Sequence, residues 1–129
     1  LANTGFLSLC AHGRVTGLAV EAGAAMSHVT SVWKGQTLRR GTRSLGVAGD
    51  HLSGYLHQLL LRQSHTEPSA LQALTKKALT KLKEQCCYVS LDYEGDLQEE
   101  GSHHPARFQT PDGHWITLGK ERFCCPEPL

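Results

Sequence analysis

At Ala48-Gly49-Asp50 the hydrophobic pattern of this chain changes period, and that change restricts its architecture more than any single motif does. Downstream, Leu52, Tyr55, Leu56, Leu59 and Leu60 recur at i, i+3, i+4, i+7 and i+8, the apolar stripe of an amphipathic helix, with Asp50 placed to cap its first turn. Upstream, Thr16, Leu18 and Val20 alternate with Gly17, Ala19 and Glu21, which is the period of a strand. A second extended run follows through Val29, Val32 and Trp33, so the small residues Ala22-Gly23-Ala24-Ala25 between the two runs read as the tip of a β-hairpin. Gly35 is expected to end the second strand, and residues 42–47 to supply a short third one.

The remaining segments fit the same mixed class. Phe6, Leu7, Leu9 and Cys10 form a short helical patch that Gly13 can close, and it is expected to be buried. Residues 64–68 break the main helix. Ser69 with Gln72 is a capping-box pattern, predicting a second helix along Leu71, Leu74, Ala78 and Leu82, with Lys76, Lys77, Lys81 and Lys83 on a solvated face. The acidic stretch 92–100 and the run 101–105 read as a mobile surface connection. Beyond it, residues 107–109 and 115–118 flank Thr110-Pro111-Asp112-Gly113, a turn signal for a second hairpin. Hairpins, strand and helices together predict an α/β chain with antiparallel pairing, without regular βαβ alternation, internal repeats or low-complexity tracts.

Composition removes several functions. The chain has 129 residues, a size that favours one compact domain, and 13 Lys and Arg against 12 Asp and Glu give a net charge of +1. Such a balance has no field to hold nucleic acid or an anionic membrane. Apolar runs are too short to cross a bilayer and no signal-peptide progression is present, so the chain reads as soluble and intracellular. Five cysteines, two pairs of them adjacent, read as reduced thiols, with Cys87 a buried small hydrophobe and Cys124 and Cys125 near the start of a terminal helix or at a cut surface. Neither Cys-x-x-Cys nor paired histidines at helical spacing occur, so no metal site is expected. The start at Leu1 without methionine reads as a piece of a longer polypeptide.

The order of short motifs carries more information than any one of them. Ser8-Leu9-Cys10-Ala11-His12-Gly13-Arg14-Val15-Thr16-Gly17 is followed by Glu21-Ala22-Gly23, His28, Ala48-Gly49-Asp50-His51-Leu52 and Lys83-Glu84. Cys87-Tyr88-Val89-Ser90-Leu91-Asp92, Pro111-Asp112-Gly113 and Glu121-Arg122-Phe123 complete the series. This series resembles the actin and actin-related protein family along the whole chain, and looks closest to its divergent, testis-type actin-like branch.

The resemblance implies part of the actin-like ATPase fold, of the type shared with sugar kinases, with residues 1–48 the inner part of the large domain and 49–129 its outer subdomain. It also implies a nucleotide site. Glu21, Ala22, Gly23, Ala24 and Ala25 stand at the phosphate hairpin, Gly49, Lys83 and Glu84 on the nucleoside side, and His28 near the attacking water. Glu21 and His28 are the remnants of catalytic function. The family loop resembles Asp-Ser-Gly-Asp-Gly, so its phosphate-donating hydroxyl and second carboxylate are lost here. Thr4 stands where the family has a water-orienting glutamine, and Asp50 where it usually has an arginine. The resemblance therefore implies a degenerate site, with ATP and magnesium expected at most in the full-length parent. The implied role is that of a cytoplasmic, cytoskeletal scaffold working through protein partners, including cytoskeletal or actin-related ones. The competing expectation is an ATP-binding protein of the same fold with slow hydrolysis.

Overall fold

The computed structural model describes residues 2–63, 68–72, 74–98 and 104–129. The break expected across residues 64–67 and the connection 99–103 lie outside that set. The chain parts into two compact units, Leu1–His51 and Leu52–Leu129, rather than the single one its length favours, and the division falls inside a helix, three residues beyond the boundary expected at 48/49.

In the first unit, α1 (Thr4–Ala11) starts at Asn3, whose side chain accepts from the Phe6 N–H at 3.1 Å. It ends as the glycine predicts. Gly13 adopts φ +69°, its N–H donates to Cys10 O at 2.9 Å, and the Arg14 N–H reaches back to Leu9 O at 3.0 Å, a Schellman closure. The expected burial does not hold, since only Gly5 of this helix is buried and Leu7 is 52% exposed. The reason is the size of the contact: a Cβ on Gly5 would lie 2.7 Å from the Thr30 side chain, so the helix approaches the sheet through its smallest residue.

The sheet is antiparallel. β1 (Gly17–Ala22) pairs with β2 (Ser27–Trp33) from Gly17↔Val32 to Ala22↔Ser27. Along β1 the larger apolar side chains are the outward set, with Leu18 60% and Val20 69% exposed, while α1 covers the side where a Cβ on Gly17 would sit 3.1 Å from Leu9. Gly35 does not simply end β2. Lys34 and Gly35 both take positive φ, the two-residue turn that matches strand twist, and bring back β3 (Gln36–Thr37) through Trp33↔Gln36. A 3₁₀ turn (Arg39–Gly41) leads to β4 (Arg43–Leu45), which lies within the predicted third strand and pairs with Ser27, His28 and Val29.

α2 (Gly49–Arg62) opens in the first unit and continues into the second. Asp50 lies inside its first turn instead of capping it, where its charge still complements the helix dipole. In the second unit the predicted stripe is realised by the buried Leu52, Leu56 and Leu60. The single helix expected after Ser69 is instead two, α3 (Pro68–Gln72) and α4 (Lys76–Cys86). Thr75 is the cap that starts the second, its hydroxyl accepting from the Ala78 N–H at 3.2 Å, whereas Ser69 lies within α3. The connection expected from residue 92 contains α5 (Tyr93–Gln98), nucleated by Asp92, whose carboxylate accepts from the Gly95 N–H at 3.1 Å.

β5 (Ala106–Gln109) and β6 (Trp115–Leu118) form the predicted second hairpin, its turn closed by Gly113 N–H to Thr110 O at 2.9 Å. α6 (Glu121–Cys124) follows. Its Arg122 ties three segments: Nε donates to Cys86 O at 2.8 Å, Nη1 donates to His104 O, and the guanidinium stacks 4.9 Å from the Tyr88 ring centre. Phe123 is fully buried, with the Tyr93 ring edge-on at 5.8 Å. Of the cysteines, Cys86 and Cys125 are the buried ones and Cys87 is half-buried; Cys124 closes α6 rather than starting it.

Candidate functional site

The tip of the first hairpin, residues 23–26, borders an open concavity of about 490 Å³ lined by Thr4, Glu21, Gly23, Ala24, Ala25, Met26 and His28. Short side chains leave the backbone uncovered there, as a site for backbone recognition of an anion requires. The tip is also anchored. Gly23 N–H donates to Met26 O at 3.1 Å, and the Gly23 and Ala24 carbonyls accept from the Gly49 and Asp50 N–H groups at 3.0 and 2.7 Å. The opening of α2 thus fixes the loop through backbone bonds. The N–H groups of Ala24, Ala25 and Met26 donate to no protein group among the described residues, so three consecutive donors remain on the wall of the concavity.

The polar side chains are arranged around Glu21. Thr4 Oγ1 donates to Glu21 Oε2 at 2.8 Å, and Ser8 Oγ to Oε1 at 3.4 Å. Thr4 and Ser8 are one helical turn apart on α1, and this i, i+4 spacing was the available sequence signal for Ser8, which the motif reading passed over. His28 sits opposite Glu21 in the β1–β2 register, its Nδ1 3.0 Å from Ser44 Oγ. Its ring is thereby held at the concavity's edge. Ala22 ends β1 and does not line the concavity, and Gly49 contributes its backbone alone.

Lys83 and Glu84 belong to α4 in the second unit. Being successive helical residues they project in different directions. Glu84 lines a groove with Lys76, Lys77, Thr80 and Lys81. Among the described residues, no three His, Cys, Asp or Glu side chains converge as a metal site would require, and no helix is long and apolar enough to cross a membrane.

Antiparallel hairpins, amphipathic helices and a small-residue tip hydrogen-bonded to the start of a helix are consistent with an α/β actin-like fold, and the family comparison agrees: the actin profile matches residues 1–129. The chain belongs to the actin family. It is similar to actin-like protein 9 of Rattus norvegicus and of Homo sapiens, each 34% identical over all 129 residues, and to that of Mus musculus at 33%. The chain spans 30% of the length of these curated relatives.

Proposed function

We propose that this chain is part of a non-catalytic actin-like scaffold, cytoplasmic and cytoskeletal, that works through contacts with other proteins and carries a degenerate nucleotide site. The observation that carries the reading is the bond from Thr4 to Glu21. At the position where the family resemblance places a water-orienting amide, a short hydroxyl gives its only proton to the neighbouring carboxylate. A hydroxyl with one Cβ–Oγ bond of reach does not replace the amide of a glutamine in placing a nucleophile, and phosphoryl transfer depends on that placement.

The residues also do not fit a hydrated magnesium ion. Among the described residues Glu21 is the single carboxylate lining the concavity, and both of its oxygens accept hydroxyl protons. The side chains of Ala22 and Ala24 offer neither a carboxylate nor a hydroxyl. Loss of transition-state donors and water-positioning groups commonly costs on the order of 10² or more in rate apiece.

One observation favours the second reading, nucleotide binding with slow turnover: the three unoccupied N–H groups of Ala24, Ala25 and Met26 would suit a phosphate. Two measurements on the full-length protein separate these readings. In a thermal unfolding scan with Mg·ATP, a ligand present at a hundred times its Kd adds about 2.7 kcal/mol of stability, whereas the scaffold reading expects no shift. In a phosphate-release assay it expects only the buffer rate. Release that disappears in His28→Ala would overturn it in favour of an ATPase.

A further inference from the structure

In the first unit, residues 33–46 form a cationic surface segment. Lys34, Arg39, Arg40 and Arg43 follow one another there, and no carboxylate stands anywhere between Glu21 and Asp50. Every residue of the segment is exposed or half-buried. Arg39 and Arg40 occupy the 3₁₀ turn, and Thr42 ends it with extended backbone, φ −95° and ψ 132°. Two arginines therefore stand three and two residues ahead of a surface hydroxyl. That is the spacing by which an arginine-directed protein kinase, its peptide groove lined with carboxylates, selects a substrate.

The hydroxyl is lightly held. Thr42 Oγ1 donates to Leu38 O at 3.0 Å, a carbonyl that also takes the Gly41 N–H at 3.0 Å. The turn is short, in a geometry weaker than an α-helix, and is tied to β2 by Leu38 N–H to Ser31 O at 2.8 Å and Ser31 Oγ to Gly41 O at 2.9 Å. Among the described residues, β4 beyond it pairs with β2 alone, from Ser27↔Leu45 to Val29↔Arg43. A kinase takes its substrate as an extended strand. Here the backbone at Leu38 and Thr42 is already extended, so one turn has to open. Neighbouring hydroxyls are placed less well. Ser44 is hydrogen-bonded to His28 Nδ1 at 3.0 Å and has Gly41 in place of an arginine three residues ahead. Thr80, which follows Lys76 and Lys77, lies inside α4 and donates to Lys76 O at 3.0 Å.

We propose that Thr42 is a phosphorylation site for an arginine-directed protein kinase. Thr42 Oγ1 attacks the γ-phosphorus of the kinase's ATP, the bond to the β,γ-bridging oxygen breaks, ADP leaves, and the hydroxyl proton passes to the kinase's base. The product carries about −1.5 to −2 charge and three acceptor oxygens. It gives up the bond to Leu38 O and meets Arg43, whose Nη1 folds back onto the Arg40 and Thr42 carbonyls at 2.9 and 3.0 Å. A guanidinium in that place offers the phosphate charge-assisted bonds. A segment whose charged side chains are all positive thereby acquires mixed sign, which changes what it docks against.

To test this, the full chain is incubated with a purified arginine-directed kinase and Mg·ATP, then cleaved after lysine, which leaves residues 35–76 as one fragment for mass spectrometry. Phosphate is expected on Thr42 of the folded chain and absent from that fragment in Thr42→Val, which keeps the branched shape. Arg39→Ala and Arg40→Ala should each lower kcat/KM for phosphorylation by about tenfold, the loss of one charge-assisted bond, and Arg39→Lys should restore part of it. Both arginines are exposed, so circular dichroism of these variants should match the native chain and separate lost recognition from lost folding. Phosphate on Ser44 or Thr80 in place of Thr42, or arginine variants modified at the native rate, would overturn the proposal. So would a folded chain left unmodified, whether or not a peptide of residues 35–46 accepts the phosphate.

Discussion

Thr30 shows what a single side chain contributes in the first unit. It is 1% exposed, its Oγ1 has no hydrogen-bond partner among the described residues, and Gly5 of α1 presses directly against it. A buried hydroxyl without a partner costs about 1–3 kcal/mol relative to one that is satisfied, so Thr30→Val, which keeps the branched shape, should stabilise the protein by about 1 kcal/mol. A rise in the urea midpoint at unchanged slope would show it; a fall would mean that the hydroxyl is satisfied by something the burial hides. At this scale the candidate site was half legible. Glu21, His28, Ala24 and Ala25, which line the concavity, could be named from the order of motifs, whereas Ala22, named with them, does not line it. The bonds of Thr4 and Ser8 to Glu21 could not be named, because they join α1 to β1 and depend on how closely the glycine lets them approach.

Elements were legible where local chemistry and periodicity agreed. The α2 stripe and the Thr110-Pro111-Asp112-Gly113 turn appear as predicted, since each is decided by a few neighbouring residues. Where two signals competed, the short-range one prevailed. The apolar series from Leu71 to Leu82 argued for one helix, but Thr75 offers its side chain to a backbone N–H and restarts the helix there. Thr75→Ala should therefore cost about 1 kcal/mol, measured as lost stability in chemical denaturation. α5 was missed for the same kind of reason: its acidic composition suggested a solvated connection, yet Asp92 caps it and Glu94 and Asp96 sit in its first turn, where the helix dipole favours them.

Across the whole molecule, large buried side chains are distributed unevenly. The first unit buries Gly5, Ser27, Thr30, Val32 and Ala48, whereas the second fully buries Leu56, Leu60, Leu82, Ile116, Leu118, Phe123 and Cys125. Stability should follow the second set. Phe123→Ala removes the largest fully buried side chain and should cost about 3–5 kcal/mol, a large share of the 5–15 kcal/mol typical of a domain. Urea denaturation followed by far-ultraviolet circular dichroism would test it, and a loss below 1 kcal/mol would show that the ring is not the centre of its unit. The bonds from Gly49 and Asp50 to the hairpin tip have a consequence of another kind. Whatever displaces the tip must first break amide bonds that a bound molecule need never touch. The exchange of those two amide protons with deuterated solvent is therefore a built-in gauge of the loop, readable without a dye, a tag or a substrate, and it would fall silent only when the tip is held still.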